Sequence, residues 1–88
     1  MAVFQLQEVF NITGKGPIPV GHVVKGPLKV GMKTNLENYE LEIKEMEMHH
    51  KKIEEANTGD NVAIFFTSTG EAILKLLRKN RNLQIEFK

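Results

Sequence analysis

Three histidines, a single serine, eleven carboxylates and the triplet Gly14-Lys15-Gly16 are the residues of this chain whose types could do chemistry. None of the usual constellations assembles from them. His49 and His50 are adjacent, so in an extended strand their side chains leave by opposite faces and cannot share one ion. His22 brings no nearby Asp or Cys set that would complete a tetrahedron, and no metal site is expected. Ser68 lies in a loop with no histidine to act as its base, so no catalytic residue is assigned. Glu37, Glu40, Glu42, Glu45 and Glu47 recur along an extended segment, which reads as a solvated strand face and not as a general acid–base pair. Gly14-Lys15-Gly16 lacks the spacing of a phosphate loop. Pro17 follows it, and a strand comes next where a helix would have to receive the phosphates. No nucleotide, cofactor or enzymatic activity is therefore expected. One charged cluster remains: Lys75, Arg78, Lys79 and Arg81, the first three at helical i, i+3, i+4 spacing. It suits either a few RNA phosphates, each contact adding to the salt dependence of binding, or a solubilising helix face.

The elements that would position these groups are mostly strands. Phe4, Leu6, Phe10 and Ile12 alternate on one face from Val3 to Ile12, interrupted by Glu8, with Val3 and Val9 on the other face. Thr13 to Pro17 is a loop. Ile18 to Lys25 is a second strand with Ile18, Val20, His22 and Val24 on one face, and Pro19 implies an edge or bulge near its start. Lys25-Gly26-Pro27 turns the chain, Leu28 to Gly31 connects, and Met32 to Leu36 is a short strand. Tyr39, Leu41 and Ile43 alternate with charged residues, and the apolar set then changes phase to Met46 and Met48, which predicts a β-bulge. Lys51 to Glu55 is a strand or connector, and Ala56 to Asn61 a tight turn. Val62 to Phe66 is apolar on both faces and reads as the central, most buried strand. Phe10, Phe65 and Phe66 are all expected in the core, which leaves little aromatic surface for base stacking. Ile73, Leu74, Leu76 and Leu77 predict a helix of two to three turns near residues 70–80, started by Ser68 or Thr69 as cap and flanked by Glu71 and by Arg78 and Lys79 in the senses the helix dipole favours. Leu83, Ile85 and Phe87 predict a closing strand. The expected fold is all-β: a small closed barrel of six strands with one short helix as plug or lid, in one domain spanning residues 1–88.

Composition narrows the classes further. With 88 residues the chain buries only about 60–65% of its unfolded surface. It has no cysteine, which excludes disulfides and thiolate-bound zinc and fits a cytoplasmic setting. Its longest apolar run, Val62 to Phe66, cannot span a bilayer, and the first residues lack a secretory signal pattern. The net charge of +1 hides an asymmetry: residues 1–35 carry +3, residues 36–60 carry −5 and residues 61–88 carry +3. That balance argues against indiscriminate polyanion binding while permitting a local basic patch.

Several segments resemble the second domain of elongation factor Tu and its relatives among the translational GTPases, a small β-barrel of Greek-key type. These are Gln7-Glu8-Val9-Phe10, Gly14-Lys15-Gly16-Pro17-Ile18-Pro19-Val20-Gly21, Leu28-Lys29-Val30-Gly31, Glu47-Met48-His49 and Gly59-Asp60-Asn61-Val62. They cover about residues 5–66, in the family's order and spacing. In elongation factor Tu this barrel helps hold the aminoacylated 3′ end of tRNA, and in many translational GTPases the same domain touches small-subunit ribosomal RNA. The resemblance implies that Glu47 matches the glutamate contacting the terminal adenosine and Ile18 an apolar residue beside it. It also implies that His49 and Asn61 match residues near the esterified amino acid and Glu8 a nearby acid. The chain departs from the pattern at His22, where the family often has arginine, and at Val20, where elongation factor Tu often has threonine. The helix around Ile73 to Lys79 is longer and more apolar than the family usually shows.

Two functions follow as expectations. One is a stand-alone, non-enzymatic module binding tRNA, ribosomal RNA or the ribosome through the face with Ile18, Glu47 and His49 or through the basic patch. The other is a protein-interaction module that docks on a GTPase or pairs with itself, without RNA.

Overall fold

The computed structural model describes residues 1–88. In chain order its elements are β1 (Ala2–Ile12), β2 (Gly16–Lys25), β3 (Leu28–Lys29), β4 (Lys33–Leu36), β5 (Tyr39–Met48), β6 (Lys51–Ile53), β7 (Glu55–Ala56), β8 (Asn61–Phe66), α1 (Glu71–Lys79) and β9 (Gln84–Phe87). Six strands run antiparallel in the order β4-β5-β8-β2-β1-β9, a nearly closed Greek-key barrel, while β6 extends β5 and β3 pairs with β7. The ends of that path meet at Lys33 and Lys88, whose backbone N–H groups each donate to the other's carbonyl at 2.8 Å. Closure matters for a chain this small, because it removes the exposed edges that an open sheet would present.

The core collects one side of every long strand. Ala2, Phe4, Leu6, Val23, Leu41, Ile43, Met46, Val62, Ile64, Phe66, Ile85 and Phe87 are buried in one cluster. Phe87 is fully buried there, edge-on to Phe4 (ring centroids 6.5 Å apart) and stacked on Phe66 (6.2 Å). Helix α1 packs against β1 and β2 and buries Ile73, Leu74, Leu76 and Leu77, the four residues whose spacing predicts it. Its N-cap is Gly70, with no side chain capping it, in place of the Ser68 or Thr69 expected from sequence. The Thr69 side chain is instead spent on packing: its Cβ lies 3.0 Å from where a Cβ on Gly16 would stand.

Of three register shifts in the barrel, at Val3/Phe4, Leu6/Glu8 and Ile43/Glu45, the last two decide which side chains of the candidate surface face outward. In β5 the register against β8 shifts between Ile43 and Glu45, as the phase change in the sequence predicts. Ile43 and Met46 both point inward, and Glu45 and Glu47 point out. In β1 the register against β2 shifts between Leu6 and Glu8, so Leu6 pairs with Gly21 and Glu8 with Val20. This second bulge overturns the simple alternation. Beyond it Val9 is the buried residue, while Phe10, expected in the core, and Ile12, expected on the face of Phe4 and Leu6, are 53% and 49% exposed. Phe65 is likewise half-buried on the outer side of β8, although that strand does occupy the centre of the sheet. Were β1 regular through Gln7, Glu8 would follow Leu6 into the core, where an unpaired carboxylate is costly.

His49 and His50 also differ from expectation. They form the two-residue turn between β5 and β6, at φ +54° and +64°, with Met48 and Lys51 paired across it. Positive φ at both central residues marks a type I′ hairpin, whose twist matches that of the flanking strands. Glu37 and Asn38, at φ +49° and +73°, make the equivalent turn between β4 and β5.

Candidate nucleic-acid interface

Register places four of the five residues singled out by resemblance on one outer surface. Reading across strands, Glu8 on β1 pairs with Val20 on β2, Val20 with Ala63 on β8, Ala63 with Glu47 on β5, and Glu47 with Lys52 on β6. Residues in one row of a sheet share a face, so the two glutamates sit on the same side at opposite ends of an apolar pair. Asn61 faces His22 in the adjacent row, and the His22 Nδ1 and Gln7 Nε2 atoms are 3.1 Å apart. Ile18 lies on the same outward side of β2 as Val20, in register with Phe10, and is only 3% exposed. It takes no part in the core cluster. His49 stands apart at the exposed tip of the β5–β6 hairpin, two residues beyond Glu47.

The surface contains groups that the sequence reading did not assign to it. Phe10, Ile12 and Val24 add exposed apolar area. Phe65 pairs with Glu45, and the Lys15 ammonium lies 5.5 Å from its ring centroid. Phe65 and Glu45 also border a groove of about 630 Å³ between the β1–β2 turn, β5 and the start of α1, with Lys15 and Lys44 among its lining residues. The signal for Phe10 and Ile12 was present in the sequence, since Glu8 in the middle of an apolar alternation is what a bulge at Gln7 resolves. No group of three or more His, Cys, Asp or Glu side chains gathers in a metal-binding arrangement.

The basic cluster is partly neutralised. Lys75 and Arg78 are exposed on α1 and form no ion pair. Lys79 Nζ lies 3.0 Å from Glu37 Oε1, and Arg81 Nη1 lies 3.1 Å from Glu8 Oε1. Glu37 also accepts a hydrogen bond of 2.9 Å from Asn80 Nδ2, which itself donates to the Leu76 carbonyl. Hydrogen bonds from Asn80 and then Lys79 hold the Glu37 carboxyl below its ordinary range. Through Arg81 the cluster touches the outer surface, because its partner Glu8 is the β1 member of the cross-strand row.

Barrel, bulged acid-bearing strands and outer row define the class: a translation-factor barrel similar to the second domain of the elongation factor Tu family of GTPases. Elongation factor 1-alpha of Methanoculleus marisnigri is 42% identical over 72 residues, 80% of this chain and 17% of that protein. Its counterpart in Ignicoccus hospitalis is 48% identical over 59 residues, 65% of this chain and 13% of that protein. Among solved structures, the bacterial selenocysteine-specific elongation factor EF-Sec superposes with a TM-score of 0.74 at 18% identity, over 96% of this chain and 14% of that one. The chain thus spans less than a fifth of the length of these relatives, and its likeness is to a small barrel domain and not to the GTPase domain. No protein-family model matches it. No helix is long and apolar enough to cross a membrane.

Proposed function

We propose that residues 1–88 form one non-enzymatic binding module whose outer surface takes an RNA end, a tRNA 3′ terminus or an exposed ribosomal RNA nucleotide, in the cytoplasm. The observation that supports this reading is the cross-strand row from Glu8 through Val20 and Ala63 to Glu47, with Ile18 and Asn61 beside it. Carboxylate oxygens accept hydrogen bonds from ribose hydroxyls and base amino groups, while the apolar middle offers a contact for a base or ribose. His49 at the hairpin tip would reach a group attached to that nucleotide. A mobility-shift titration against tRNA and ribosomal subunits tests the reading, with Glu47→Ala as the site variant. Saturable binding that weakens in the variant is expected; absence of binding even at low salt refutes it.

A second reading rests on a separate observation. Phe10, Ile12 and Val24 leave apolar surface in water on the same side of the barrel. A protein partner, a GTPase or a second copy, would cover them. Co-purification with and without RNase discriminates the two: a partner retained after RNase favours protein docking, and one lost with the RNA favours the first reading.

A further inference from the structure

The cross-strand row does not stop at Glu8. Its carboxylate carries it to Arg81, 3.1 Å away, and Arg81 follows Asn80, the C-cap of α1. In order, the surface runs Glu47, Ala63, Val20, Glu8, Arg81 and then the exposed cations of the helix. We infer that RNA seated on the outer surface leaves it across β1 and continues over the C-terminal half of α1, where its phosphates displace Glu8 from Arg81 and Glu37 from Lys79. The inference rests on the proposed RNA reading and extends it: the ligand is a single-stranded segment of several nucleotides rather than one terminal nucleoside.

Three features of the ion pairs carry this. First, both carboxylates mask cations that would otherwise extend the unpaired Lys75 and Arg78 into a four-residue cluster. Second, both masks are open to solvent: the side chains of Arg81 and Glu8 are 51% and 50% exposed, and those of Lys79 and Glu37 are 71% and 40% exposed. Half-exposed pairs are weak and screened by salt, so they can exchange partners. Third, a lone carboxylate competes poorly with a phosphodiester chain. A guanidinium can fork two phosphate oxygens, and neighbouring phosphates add to the local negative potential. The masks therefore suppress binding of isolated anions while leaving a polyanion able to dock. They also explain how a chain of net charge +1 can present a basic surface only to a partner of high charge density.

The test is a fluorescence-anisotropy titration of a labelled 12-nucleotide single-stranded RNA across a salt series, on the full chain. Far-UV circular dichroism and a urea midpoint confirm that each variant is folded. Glu37→Gln is the first variant. Its amide oxygen still accepts from Asn80, it lies away from the outer surface, and it unmasks Lys79. It is expected to tighten binding roughly two- to fivefold, the size of the exposed pair it removes. Arg78→Ala with Lys79→Ala deletes two phosphate contacts and is expected to reduce the magnitude of the salt slope by about 1.4. Unchanged affinity in the first variant together with an unchanged slope in the second overturns the inference. Glu47→Ala in parallel separates it from the reading beneath it. If that variant loses binding while the helix variants leave the slope alone, the outer surface binds and the path over α1 is wrong. If only the helix variants have an effect, α1 binds RNA by itself and the continuous route is refuted. If the unaltered chain fails to bind at low salt, both are refuted.

Discussion

Gly21→Ala is the substitution on which the geometry of this barrel makes its sharpest demand. Gly21 points into the barrel from β2, paired with Leu6 on one side and Val62 on the other, at the point where β1 bulges. A Cβ built there would stand 1.8 Å from the Gln5 carbonyl oxygen, 2.9 Å from its carbon and 3.0 Å from Phe4 Cζ. Since real Cβ atoms essentially never approach a neighbour closer than 3.0 Å, β1 would have to retreat by roughly 1.2 Å. The nearest obstacle is backbone, so no rotamer change relieves it. Overpacking of this kind costs about 1–3 kcal/mol, and the hydrogen bonds lost as the strands part add about 0.5–1.5 kcal/mol each. The expected loss is thus about 3–5 kcal/mol, against a total stability of roughly 4–13 kcal/mol for a chain of this length. Urea unfolding followed by circular dichroism reads it directly: with a slope of about 1–1.5 kcal/mol/M, the midpoint should fall by roughly 2–5 M, or the protein should not fold. Any folded fraction should also bind RNA less well, because the strand that retreats carries Glu8. A midpoint within about 0.5 M of the unaltered protein would refute the reasoning, since it would mean that the bulge does not depend on a close approach at Gly21.

Other outcomes follow from single contacts. The Glu37 clasp is held in its charged form, so its contribution to stability is fully present above the ordinary carboxylate value, about 4.3, and is lost as the pH falls through the lowered folded value. The difference in urea midpoint between the unaltered protein and Glu37→Gln should be constant at neutral pH and shrink on acidification; a difference that grows in acid would contradict the clasp. His50 occupies a left-handed turn position at φ +64°, which costs a non-glycine residue about 1 kcal/mol. Relief of that cost in His50→Gly should raise the thermal midpoint by roughly 4–8 °C for a domain of this size, as calorimetry would report. Phe10→Ser should cost about 1 kcal/mol or less because the ring is half in water, whereas Phe87→Ala, which removes a fully buried ring, should cost about 3–5 kcal/mol. Similar urea midpoints for these two variants would place Phe10 back in the core.

Much of the barrel is legible in the chain because its signals are local. Ile73, Leu74, Leu76 and Leu77 can share a face only on a helix. Tyr39, Leu41 and Ile43 followed by Met46 and Met48 can share one only if a residue between them is bulged out. The turn at Asn57 to Asp60 is equally local: Asp60 Oδ2 accepts from the Asn57 N–H at 2.8 Å. The bulge in β1 is harder to read, since Phe10 and Ile12 preserve an apolar alternation that looks continuous with Phe4 and Leu6. Glu8 amid that alternation is the one hint in the chain, and the pairing of Leu6 with Gly21 and of Glu8 with Val20 is what shows that the two halves face opposite ways. His49 and His50 mislead for a similar reason. Nothing in two adjacent histidines marks a turn, and the left-handed conformation there is imposed by the pairing of Met48 with Lys51 on either side.

The amino-acid order by itself determined the strand-rich class, the helix, the β5 bulge and the kinship with translation-factor barrels, because each depends on residue types a few positions apart. Only the tertiary structure decided which acids meet which cations. Glu8 and Arg81, and likewise Glu37 and Lys79, are separated by most or half of the chain, and no periodicity links them. They meet because closing the barrel brings the end of α1 beside β1 at one place and beside the β4–β5 turn at another. An ion pair is a property of two positions in space, and a linear pattern can name its members without showing that they touch.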